Sequence, residues 1–128
     1  MFFKKKKPKL SEQQKRWNTL WEQYGTGELK EQNFGIYCLC DYYSGVNGEG
    51  HAGWLDNTEN TEGKEAINNI VSALEEVLPD HLYDNLKRAL LSYGTEKEDN
   101  VCEKADDYFC EHEKEIIEHL QKAAEMKL

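Results

Sequence analysis

The 128-residue sequence predicts an all-α fold, a compact bundle of five or six helices with no significant sheet. Three observations predict it. Apolar residues recur at the 3.6-residue period in segment after segment. No run alternates with period two between hairpin signals. The one marked irregularity is the stretch from Gly45 to Asn57, where four glycines fall within nine residues beside Trp54.

Taken in order, Ser11 followed by Gln14 resembles a capping box and opens the first helix. Trp17, Leu20, Trp21 and Tyr24 give it one apolar stripe, and Gly25-Thr26-Gly27 ends it. A second helix is expected over about 29–44, with Phe34, Ile36, Tyr37, Leu39, Cys40 and Tyr43 apolar on more than one side. It should be the most buried, and Gly35 within it points to close packing. The glycine-rich stretch should be a tight bend opening a short helix. Trp54 and Leu55 then turn inward, and Asp56-Asn57 close that helix or cap the next turn. Residues 57–63 read as a polar turn. Ile67, Ile70, Val71, Leu74, Val77 and Leu78 mark a fourth helix over about 62–78, stopped by Pro79. Asp80 caps a fifth, which presents Leu82, Tyr83, Leu86, Ala89, Leu90 and Tyr93 and ends at Gly94. A last helix spans about 99–126, its inner side lined by Cys102, Ala105, Tyr108 or Phe109, Ile116, Leu120 and Ala123.

Size and charge bound the function. The length fits one domain with a single core, read as residues 11–128 behind a basic flexible tail at 1–10. That tail holds five of the 16 basic residues and none of the 25 acidic ones, so the body carries 11 against 25, a formal −14. A body so acidic repels nucleic acid and anionic membrane, and its macromolecular partners carry a basic surface. No apolar run approaches the ~20 residues of a membrane span. Lys4, Lys5, Lys6, Lys7 and Lys9 are followed by no apolar signal region, so a cytoplasmic location is expected, with Cys38, Cys40, Cys102 and Cys110 as free thiols.

The segment 46–57 resembles a motif of the bacterial DNA-mimic protein family, Val-x-Asn-Gly-Gly-Phe-x-Gln-Tyr/Phe-x-x-Asn. Val46, Gly50, Trp54 and Asn57 match it. Gly48 stands where the family has Asn, Glu49 for the first Gly, His51 for Phe and Gly53 for Gln. Asp41-Tyr42-Tyr43 and the downstream helix order, with Tyr93-Gly94, Ala105 and Phe109, extend the likeness over about 28–112. The resemblance implies an all-helical acidic protein that binds a DNA-binding regulator in place of DNA. The motif positions Val46, Gly48, Gly50, Trp54 and Asn57 take the structural part.

Ten acids and three lysines fall between Glu96 and Glu118. On a helix, Asp99, Glu103, Asp106 and Asp107 share a face, with Glu111 a turn further on and Glu113, Glu115 and Glu118 beyond. Like charges at i, i+4 cost a few tenths of a kcal/mol per pair, so these eight form the candidate partner-binding face. Other chemistries fit less well. His112 and His119 stand two turns apart without HExxH spacing, because position 116 is Ile116. Cys38 and Cys40 point to different faces, and Cys110 with His112 lacks zinc-site pairing. The residues near Asp56 lack the glycine and glutamate of a calcium loop. Gly48, Gly50 and Gly53 match GxGxxG in letters but follow a helix rather than a strand. No metal or cofactor is expected.

The reading is an acidic protein-interaction domain, not an enzyme, whose partner is a basic protein such as a helix-turn-helix regulator. Neither direct nucleic-acid binding nor membrane binding is expected. The alternatives are an immunity protein neutralising a basic toxin, and an enzyme or small-ligand domain around residues 49–56 that uses Glu49, His51, Trp54 and Asp56. A homodimer through an apolar patch including Tyr42, Tyr83 or Tyr93 is a further expectation.

Overall fold

The computed structural model describes residues 10–126 and holds seven helices rather than five or six. They are α1 (Glu12–Thr26), α2 (Glu28–Gln32), α3 (Phe34–Glu62), α4 (Lys64–Leu74), α5 (Asp80–Ser92), α6 (Glu98–Glu111) and α7 (Glu113–Glu125). No strand occurs among the described residues. The expected tail at 1–10 lies, apart from exposed Leu10, outside them.

Two extra breaks raise the count. Asn33 leaves helical geometry, and its side chain accepts the Ile36 N–H at 3.2 Å, so it caps α3 and cuts the expected second helix in two. The second break is at His112, between α6 and α7. α6 packs on α5 and α3, whereas α7 packs on α1 and α3. A continuous helix of that length would run straight for about 40 Å and could not cover both sites.

Other boundaries follow local chemistry. The Ser11 hydroxyl accepts the Gln14 N–H at 3.0 Å, but the Gln14 amide turns to Asn18, so only half of the capping box forms. Gly27, at φ 86°, closes α1. Pro79 rather than Asp80 takes the cap position of α5, its carbonyl accepting from Leu82 and Tyr83. Asp80 becomes the acidic first residue of the helix.

The glycine-rich stretch departs most from expectation. α3 runs through Gly45 and Gly48 without bending and breaks only at Gly50, at φ 74° and ψ 174°. Helix then resumes to Glu62, so Asp56-Asn57 do not close it and 57–63 is not a loop. Gly63, at φ 92°, ends it. Trp54 and Leu55 do turn inward, and both are buried. The Trp54 indole occupies the space a Gly45 side chain would fill, so α3 folds back on itself across the break.

One core joins α1–α7. Tyr42 meets Trp54 and Phe109 edge-on at ring separations of 5.1 and 5.7 Å. The buried Asn85 amide donates to the Ala105 carbonyl at 2.9 Å and ties α5 to α6. Burial of Tyr42 removes it from any surface patch for a second copy of the chain.

The Gly45–Trp54 contact makes a test. Gly45→Ala should destabilise the protein by about 1–3 kcal/mol in urea unfolding, because the added methyl overpacks the fold-back. A change within a few tenths would show that the indole yields freely.

Candidate functional site

The break in α3 is held by a side chain from α6. Asp106 Oδ1 accepts the His51 backbone N–H at 2.8 Å and faces His51 Nδ1 at 2.7 Å. His51 Nε2 lies 2.7 Å from the Tyr42 hydroxyl. Burial is the largest influence on His51 and lowers its pKa from 6.5, against the opposing pull of the Asp106 bond and charge. A neutral imidazole satisfies every group: Nδ1–H donates to Asp106, and Tyr42 donates to Nε2. Gly50 is required here on two counts. Its φ is positive, and a Cβ would stand 2.6 Å from Asp106 Oδ2.

The row has the order of a hydroxyl–imidazole–carboxylate relay, but Tyr42 and His51 are both fully buried. A substrate cannot reach the hydroxyl. The other residues of the enzyme alternative diverge: Glu49 and Asp56 are exposed, while His51 and Trp54 face the core. His51 pairs with Asp106, not with Glu49. A cavity of about 680 Å³ is lined by Arg88, Leu91, Thr95 and Val101 among others, and by no residue of this segment.

Of the motif positions, Val46 and Trp54 are core and Gly50 is the corner, while Gly48 and Asn57 lie exposed in helix. Asp41, on the first arm of α3, ties the arm beyond the break and α1 together: it accepts from Trp54 Nε1 at 3.0 Å and from the Tyr24 hydroxyl of α1 at 2.7 Å.

The eight acids of the candidate face do not behave alike. Asp99, Glu103, Asp107, Glu111 and Glu118 are exposed. Asp106 turns to His51, Glu113 accepts from the Tyr43 hydroxyl at 2.7 Å, and Glu115 faces His81 and His112. Burial, then the Glu113 bond, pushes Tyr43 up to about 12. Asp99, Glu103, Asp107 and Glu111 follow one another at i, i+4 and form a stripe on α6, its steps about 6 Å along the axis. The break at His112 puts Glu113, Glu115 and Glu118 on a different helix. Exposed acids also occur on other helices, among them Glu12, Glu22, Glu28, Glu31, Glu65 and Asp84.

The four cysteines are free. Burial pushes the Cys38 and Cys40 thiols up to about 12, which leaves them unreactive. No helix among the described residues is long and apolar enough to cross a membrane.

Spacing did not reveal the Tyr42–His51–Asp106 row, because Asp106 joins it from 55 positions away. The only local signal was a histidine directly after a glycine, in a stretch whose neighbours are packed.

Two outcomes follow. Gly50→Ala should cost about 2 kcal/mol or more in urea unfolding, from backbone strain and displacement of Asp106. Because the folded state holds His51 neutral, the unfolded chain gains a proton below its pKa of about 6.5 that the folded chain refuses. Stability attributable to His51 therefore falls as pH drops below that value. Thermal scans between about pH 7 and pH 5 should show a smaller loss for His51→Gln than for the wild type. Equal slopes would mean that the imidazole is not held neutral.

No curated protein and no solved structure matches the chain. A model of the family of DMP19-like proteins matches residues 27–126, from α2 through α7, a span that takes in the Gly50 corner and the α6 stripe. The chain belongs to the family of DMP19-like, or DNA-mimic, proteins.

Proposed function

We propose that this protein is an acidic interaction domain that occupies the DNA-binding surface of a basic regulator, with the α6 stripe as its docking face. The observation that carries the reading is the run Asp99, Glu103, Asp107, Glu111, exposed at i, i+4 along one helix. Repulsion within such a row destabilises the helix by a few tenths of a kcal/mol per pair. A basic groove relieves that repulsion on contact. Duplex DNA offers one phosphate per ~3.4 Å of axis on each strand, so the row imitates a sparse single strand rather than a whole duplex. Family membership supports the same reading, since it implies a DNA-binding partner. The proposed partner class is a helix-turn-helix regulator, whose recognition surface is lined by arginine and lysine.

Affinity capture from the native host at low and high salt tests it. The protein should retain a DNA-binding protein at low salt and release it at high salt, and duplex DNA should displace it. Neutralising the row (Asp99→Asn, Glu103→Gln, Asp107→Asn, Glu111→Gln) should weaken binding at least about tenfold and flatten the salt dependence, with the fold unchanged by circular dichroism. Neutralising Glu12, Glu22, Glu28 and Glu31 should do neither. Equal effects from both sets, or capture insensitive to salt, would contradict a docking face on α6. Capture of a nuclease toxin instead would point to immunity.

A further inference from the structure

A second polar cluster lies where the start of α5 meets the elbow between α6 and α7. His81 Nε2 is 2.9 Å from Glu115 Oε1, and His112 Nδ1 is 2.8 Å from Glu115 Oε2. One ligand atom from each of the three residues lies within 4.8 Å of the others. We propose that His81 Nε2, His112 Nδ1 and the Glu115 carboxylate form a binding site for one divalent transition-metal ion of the zinc class.

The donor set is the first argument. Two imidazoles and one carboxylate suit zinc and similar borderline ions, and leave a fourth tetrahedral position for water. Calcium and magnesium prefer all-oxygen sites. Zinc with ligands at about 2.0–2.1 Å sets its donors about 3.3 Å apart. The widest separation in the cluster therefore contracts by at most about 1.5 Å, within reach of side-chain rotation at the surface.

The supporting shell is the second argument. The Tyr108 hydroxyl lies 2.6 Å from His81 Nδ1, the nitrogen that would not bind metal. A metal-binding histidine ordinarily spends its other nitrogen this way. With Nε2 on the ion, Nδ1–H donates to the phenol oxygen. The rings are also packed in place. Tyr108 stacks obliquely on His112 with centroids 4.4 Å apart, and His81 meets His112 edge-on at 4.9 Å. Ligand side chains between 34% and 42% exposed leave an entry path. His119 is outside the site, since its Nδ1 donates to the Glu115 backbone carbonyl.

The ion would replace the protons that now join each imidazole to Glu115. It would also fasten two pieces of chain that are distant in sequence, the first turn of α5 and the elbow that leads into the first turn of α7. The site is independent of the proposed docking row, because none of its three ligands belongs to Asp99, Glu103, Asp107 or Glu111.

The test is titration of the metal-free full chain with zinc by calorimetry, and with cobalt followed by its visible ligand-field absorption. One ion per chain is expected, with a rise in melting temperature. His81→Gln and His112→Gln should each weaken binding at least about tenfold, and Tyr108→Phe by a smaller factor. His119→Gln should leave binding unchanged. Cys110→Ser should also leave it unchanged, which separates the site from the exposed thiol two positions before His112. Absence of saturable binding, full binding by His81→Gln, or its loss in Cys110→Ser would each overturn the assignment.

Discussion

Asp106 fixes the shape of this molecule. One carboxylate oxygen takes both the backbone and the side-chain N–H of His51, immediately after the only residue inside α3 with non-helical geometry. The break needs a glycine because the carboxylate stands where a side chain would be. It also needs the carboxylate, because the first N–H groups beyond a helix break have no intrahelical acceptor. The corner and α6 are therefore one unit. Through it the Trp54 indole reaches back to Gly45 and Asp41, and Phe109 packs against Tyr42. The acidic helix is thereby anchored on its inner side while its outer acids stay in water.

The division of labour among the carboxylates follows from this. Asp41, Asp106, Glu113 and Glu115 each hold a hydroxyl or ring N–H from another helix. Asp56 and Glu59 share the Tyr93 hydroxyl. These acids stitch helices together, and they cannot also meet a partner without giving up those bonds. A high count of acids alone thus overstates the docking surface. Among the acids left in water, those at i, i+4 on α6 make the row proposed above as the docking face, and their rigid mounting would lower the ordering cost of such a contact.

Much of the architecture was legible in the sequence. Periodicity located α1, α4 and α5 within a few residues and named Leu82, Leu86, Ile116 and Leu120 as inward, while leaving Tyr108 and Phe109 as alternatives. The motif likeness located the family and singled out Gly50, the corner of α3, and Trp54, which is buried beside it. Helix ends set by tertiary packing were not legible. Asn33 looks like a helix residue until its side chain is seen capping Ile36, and His112 breaks a pattern whose apolar period continues across it. The glycines misled for a similar reason: a cluster reads as a loop, yet Gly45 lies in helix to admit an indole and only Gly50 bends the chain. The polar row at His51 and the His81–His112–Glu115 cluster join residues that only the fold brings together.

The most direct measurement of the central claim is a double-mutant cycle on stability between His51→Gln and Asp106→Asn in urea unfolding. A clamp of this kind predicts strong non-additivity, a coupling of about 1–3 kcal/mol, with the double variant little worse than either single one. Additive losses, or an Asp106→Asn variant as stable as the wild type, would contradict it and leave the corner to be held by apolar packing alone.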